Sequence, residues 1–190
     1  MLRIKNLGKF EAKKRSAFLI ILFVISGFWI THAQGDDFGT CTGNVGCRAD
    51  NLEHTYCFGA TLNGDGFQTA SGYAMTNLVA QTNFIKTYMA SCSGNTDVVF
   101  KRDDSIGPSA FTQCLDFVNG TNRCNRARVV FDGDFLNNWG MDNKKSTACH
   151  EVGHTGGLAH GATNDCMTNA TPSSNIHYNG HHIAHLNQNG

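Results

Sequence analysis

Three histidines, one glutamate and one glycine stand at fixed offsets in the string His150-Glu151-Val152-Gly153-His154-Thr155-Gly156-Gly157-Leu158-Ala159-His160. Neutral imidazoles are nitrogen donors for a transition metal, and a carboxylate beside them that is not needed as a ligand can move a proton. His150 and His154 are four residues apart. On a helix this spacing puts both rings on one face, one turn apart, where they can share one metal ion. Glu151 then points toward the open side of that metal, where it can take a proton from a bound water and later deliver it to a leaving amine. His160 lies beyond the reach of the same helical face and joins the others only if the chain turns sharply after the helix. Gly157, between them, supplies a positive φ without steric cost. Three nitrogen ligands leave a fourth position for water, the arrangement of a hydrolytic rather than a structural zinc site.

The third ligand has competitors. Some enzymes with the shorter H-E-x-x-H string recruit a downstream glutamate, but no Glu follows Glu151, and Asp165 is the one acidic residue after it. The candidates are His160, Asp165, and the later His177, His181, His182 and His185. The glycine at 157 favours His160, with Asp165 next. His181, His182 and His185 form a histidine-rich stretch that either binds a second metal or packs as polar surface.

The string resembles the extended motif of the metzincin clan of zinc endopeptidases, in which a turn carrying a methionine lies beneath the metal. Met167, the one methionine after the motif, matches that turn. The resemblance covers residues 145–168 and implies a small single-domain α+β zincin, with a twisted sheet, an upstream helix and an active-site helix. It implies one catalytic Zn2+ held by His150, His154 and His160, Glu151 as general base, and a protein or peptide as substrate. It also makes Met167 an apolar floor rather than a ligand, and segment 168–178 the wall of the pocket just past the cut bond. The short length and compact C-terminal part resemble the small secreted enzymes of the snapalysin type, which carry Asp where this chain has His160. Some metzincins place a tyrosine two residues after the methionine; Asn169 stands there, leaving Tyr178 as the substitute. Two other functions fit the residues: a catalytically silent zinc-containing binding module, and a metallohydrolase acting on a non-protein amide.

The elements that must position these groups are partly legible. Apolar residues spaced three to four apart over 70–90 predict an amphipathic helix, and a second helix is expected over 145–155, ending at Gly156 and Gly157. Two β-rich runs, 96–101 and 127–132, read as strands. An extended peptide is expected beside an edge strand, and 126–131 is the first choice for that strand. Segment 34–56 reads as a stapled loop, the stretch between the two β-rich runs as loop-rich, and 178–186 as a final turn or two of helix.

Residues 1–33 carry six basic residues and Glu11, followed by the apolar run AFLIILFVISGFWI and a small residue, Ala33. This reads as a signal peptide, too short in its apolar part for a membrane span. The exported body, 34–190, is then one domain and expected to be a secreted monomer with no further membrane contact. With nine basic and fourteen acidic residues it carries no electrostatic footprint for nucleic acid. All eight cysteines fall in this body, an even, dense set that reads as disulfides in an oxidising compartment. Cys114–Cys124 and Cys149–Cys166 are the expected local pairs; Cys41, Cys47, Cys57 and Cys92 remain open. Cys149 and Cys166 border His150 and Met167, and in an exported protein a disulfide there is favoured over thiolate ligation.

Overall fold

The computed structural model describes residues 47–62, 64, 66–161, 164–169 and 173–189. Residues 1–33, read as a signal peptide, and Cys41 lie outside the described residues. Among the described residues, no helix is long and apolar enough to cross a membrane.

The fold is a mixed α/β layer. Strands β1 (Arg48–Ala49), β2 (Glu53–Phe58), β3 (Ile85–Tyr88), β4 (Val98–Arg102), β5 (Ala110–Phe117) and β6 (Arg123–Phe131) form one sheet. From one edge it runs β3-β2-β4-β6, all parallel, and closes with β5 antiparallel to β6. The short β1 continues the line of β4 along β6, pairing Arg48 with Arg123. The α-helices among the described residues are α1 (Phe67–Gln81), α2 (Gly133–Leu136), α3 (Met141–Thr155) and α4 (Gly180–Leu186).

Alternation in the strands sets the core. Val98 and Phe100 of β4 and Val129 and Phe131 of β6 point to one face. There α1 presents Phe67, Ala70, Ser71, Ala74, Met75 and Leu78, an i, i+3, i+4 stripe. Phe67 stacks on Phe131 at 5.1 Å, which locks the start of α1 onto β6. The small residues Ala70, Ser71 and Ala74 let α3 approach α1 closely, and the C-terminal half of α3 is buried nearly all round. An enclosed helix is a rigid carrier for ligand side chains.

Several sequence expectations change. The helix expected over 70–90 stops at Gln81, and Ile85–Tyr88 is a strand parallel to β2. Its apolar residues do not serve burial: Ile85 is 62% and Tyr88 54% exposed. Within the segment read as a stapled loop, β2 is a central strand, between β3 and β4. The segment read as loop-rich contains β5, the edge strand opposite β3. The 126–131 segment is interior instead, with β4 on one side and β5 on the other, so it cannot take an added peptide strand. Among the described residues nothing pairs with the outer edge of β5.

Three disulfides are formed among the described residues: Cys57–Cys92, Cys114–Cys124 and Cys149–Cys166. Both local pairs expected from spacing are there. Such bonds are compatible with an extracellular protein.

Candidate metal centre

Helix α3 carries His150, Glu151 and His154, and its end is built to bring His160 back. The Gly157 N–H donates to His154 O at 3.0 Å and the Leu158 N–H to Gly153 O at 3.1 Å. This paired capping pattern needs a left-handed residue just past the helix, and Gly157 provides it with φ 96°. The chain then reverses, and a bridge between Gly161 and Thr168, with Gly161 N–H donating to Met167 O at 3.0 Å, sets His160 beside the other two rings. The ring centroids of the three histidines lie 4.6, 4.9 and 4.9 Å apart. One ligand atom from each falls within 4.8 Å of the others, a group that could hold a metal ion.

The protonation state of the triad follows from its partners. His150 Nδ1 lies 2.8 Å from Cys166 O, and His154 Nδ1 lies 2.6 Å from Leu158 O. A carbonyl only accepts, so each Nδ1 carries the proton and each Nε2 is bare. The two Nε2 atoms face each other at 3.0 Å. Two lone pairs at that separation repel unless a cation lies between them, and this donor set fits a metal ion. Burial keeps the rings neutral: it lowers the His150 pKa to about 4, lowers His154 well below the usual imidazole range, and lowers the more exposed His160 as well.

Glu151 sits beside the triad without joining it. Its carboxyl is buried, which pushes its pKa up to about 7, against the opposing effect of the Thr112 hydroxyl. That hydroxyl, on β5, lies 2.7 Å from Oε2 and 2.9 Å from the Glu151 carbonyl. Donating to Oε2, it leaves Oε1 for another proton. Thr112 has no local sequence signal, since it lies 39 positions from its partner.

A cleft of about 430 Å³ opens over this group. Gly107, Pro108 and Ala110, at the start of β5, form one wall; His150, Glu151 and His160 lie within it; Thr168, Asn169 and Ser173 bound it opposite. Of the 168–178 segment expected to wall the pocket, Thr168, Asn169 and Ser173 line the cleft.

Beneath the site, Met167 is wholly buried and packs against α3 at Gly153, where an added Cβ would lie 2.3 Å from Met167 Sδ. The signal for Gly153 in the sequence is a glycine inside the last turn of the expected helix. Tyr178 is not placed to act on a substrate. It is buried, its ring lies against Gly153, and its hydroxyl donates to Cys149 O at 2.8 Å. Asp165 does not enter the triad either. Its Oδ1 accepts the Met167 N–H at 2.9 Å, and its Oδ2 accepts the Asn179 N–H at 3.0 Å and pairs with His182. His177 turns to Asn77 Oδ1 at 3.2 Å, and His181 and His185 pack ring against ring at 4.4 Å. Among the described residues the one cluster of three metal-competent groups is His150, His154 and His160.

No protein-family model matches this chain, and no curated protein matches it.

Proposed function

We propose that this protein is a secreted zinc endopeptidase of metzincin type, with His150, His154 and His160 as metal ligands and Glu151 as general base and proton shuttle. The observation that carries the reading is a buried, non-ligating carboxylate set beside three imidazoles in an open cleft. A structural site would close its coordination shell and would not need that carboxylate. Zinc bound here would supply Lewis acidity toward the scissile carbonyl and make water a nucleophile near neutral pH. The chain's own groups do the rest. Nδ1–H bonds to Cys166 O and Leu158 O fix two of the ligand rings. Thr112 holds Glu151 Oε2, so Oε1 takes the proton of the attacking water and returns it to the departing amine. The outer edge of β5 offers main-chain groups to an extended peptide lying across the cleft, by strand addition. This edge also favours a peptide over a compact non-protein amide.

The test is Glu151→Gln. Zinc remains bound at one ion per chain, while cleavage of a denatured protein substrate falls by several orders of magnitude. Phenanthroline abolishes cleavage in the native protein, and added zinc restores it. Activity unchanged in Glu151→Gln refutes the mechanism. Bound zinc with no cleavage of any peptide in a proteome-derived mixture assigns the site to a silent binding module instead, and release of product from a cell-wall or sugar amide alone assigns it to another hydrolase class.

A further inference from the structure

We propose that the Cys149–Cys166 disulfide is a positioning element that sets the metal affinity of the histidine site; this rests on the metal-site reading above. The three ligands are supported differently. His154 finds its orienting carbonyl four residues away, on Leu158 in the turn that ends its own helix. His150 finds its carbonyl on Cys166, sixteen residues on and in a separate segment. The disulfide joins the residue that immediately precedes His150 to the residue that supplies this carbonyl. It therefore spans the two halves of a single ligand–acceptor contact.

The same segment places the third ligand. Gly161, next to His160, is bridged to Thr168 and bonded to Met167 O, both just past Cys166. Two of the three ligands thus take their register from the stapled segment. The sulfurs are in the core, with Cys149 0% and Cys166 1% exposed, so the bond is not a surface tie. Asp165 holds the same segment from its other side through the Met167 and Asn179 N–H groups. Without the bond, the Cys166 carbonyl samples positions off the imidazole and the His150 ring loses its fixed direction. Loss of such an outer partner costs about ten- to a hundredfold in metal affinity.

Cys57–Cys92 is the internal control. It closes a longer stretch, 35 residues against 17, and by chain entropy restricts the unfolded state more. It ties β2 to the segment between β3 and β4, and neither carries a residue of the triad. A purely stabilising role predicts that its removal matters at least as much; a positioning role predicts the reverse.

The experiment uses the full exported chain as wild type, Cys149→Ala/Cys166→Ala and Cys57→Ala/Cys92→Ala, with native fold checked by near-UV circular dichroism. Zinc affinity is read by competition with a chromophoric chelator, independently of proteolysis. The expected result is a Kd raised about ten- to a hundredfold in the first variant and unchanged in the second. Equal weakening in both, or none in the first, overturns the proposal. Where the first variant does not fold, the near-isosteric Cys149→Ser/Cys166→Ser takes its place; a Kd raised about ten- to a hundredfold supports the proposal, and an unchanged Kd overturns it. A wild type that binds no zinc overturns the metal reading itself, a result distinct from all of these.

Discussion

Gly153→Ala sets two opposing effects against each other at the contact between α3 and the methionine below it. In an exposed helix interior, replacing Gly by Ala gains about 1 kcal/mol, because alanine loses less backbone entropy on folding. At Gly153 the new Cβ would lie 2.3 Å from Met167 Sδ, 3.2 Å from Met167 Cε and 3.0 Å from Tyr178 Cε1. A methionine tail at the surface would swing aside at little cost. Met167 is 0% exposed, and Tyr178 is held by its hydroxyl on Cys149 O, so neither has open space to enter. Overpacking of this kind costs about 1–3 kcal/mol. Set against the propensity gain, it leaves an expected net loss of up to about 2 kcal/mol. In a Met167→Ala background the two methionine atoms are gone and the Tyr178 edge at 3.0 Å gains space to shift into, so the same substitution should approach the propensity gain of about 1 kcal/mol. The coupling between the two sites is then the overpacking relieved, about 1–3 kcal/mol. The assay is urea unfolding of the four proteins of this cycle in excess chelator, so that altered metal binding does not enter the stability. Gly153→Ala that stabilises the wild type, or an effect equal in both backgrounds, refutes the packing of Met167 against this helix.

Two further substitutions probe the partners of the site. Thr112→Val removes the hydroxyl donor to Glu151 Oε2; kcat/KM for a peptide substrate should fall about ten- to a hundredfold, in line with a charged hydrogen bond of about 1.5–3 kcal/mol, while zinc affinity stays constant and Thr112→Ser retains most activity. His54 is buried against Phe84 at 4.7 Å with Nε2 on the Thr155 hydroxyl at 3.2 Å, and burial lowers its pKa to about 4. The unfolded chain protonates this residue near the ordinary value of about 6.5, so its contribution is fully present above that pH and is lost as pH falls toward 4. Wild type should therefore lose about 3 kcal/mol more than His54→Phe between pH 7 and pH 4 in chemical denaturation, and parallel pH profiles for the two proteins would refute the assignment.

What was legible in the sequence is what depends on local geometry. The i, i+4 histidines need only a helix, and α3 is one. Gly157 needs only a helix end, and its left-handed φ and paired capping bonds supply it. Cys114–Cys124 and Cys149–Cys166 close short loops and follow from spacing. The misreadings come from longer range. Phe84, Ile85, Tyr88 and Met89 have helical spacing, but Ile85 and Tyr88 are largely exposed, and the segment extends because β2 offers a parallel edge. Strand β5 hides because its burial is weak and its register is irregular between Cys114 and Phe117. That irregularity suits an edge strand, which has a partner on one side alone. Without a sequence signal for β5, nothing matches Thr112 to Glu151, and the expected edge strand, 126–131, lies one position inside the sheet.

The same distinction between near and distant supports bears on the choice of third ligand. In the sequence Gly157 favours His160 over Asp165 and the four later histidines, but spacing does not say what those others do instead. The separation comes from where each candidate's donor atoms are already committed. Asp165 uses both carboxylate oxygens on the segment that carries Met167 and on the start of α4. His182 answers it from α4, and His177 is engaged by Asn77 on α1. His150 and His154 each commit Nδ1 to a carbonyl and turn a bare Nε2 inward, and His160 completes the group. A residue whose oxygens already bind main-chain N–H groups and an imidazole cannot turn to a metal without leaving those groups unpaired in the core, at a cost of about 1–3 kcal/mol for each. His160, reached by the helix-ending turn and more exposed than its neighbours, can turn toward the other two with no such loss.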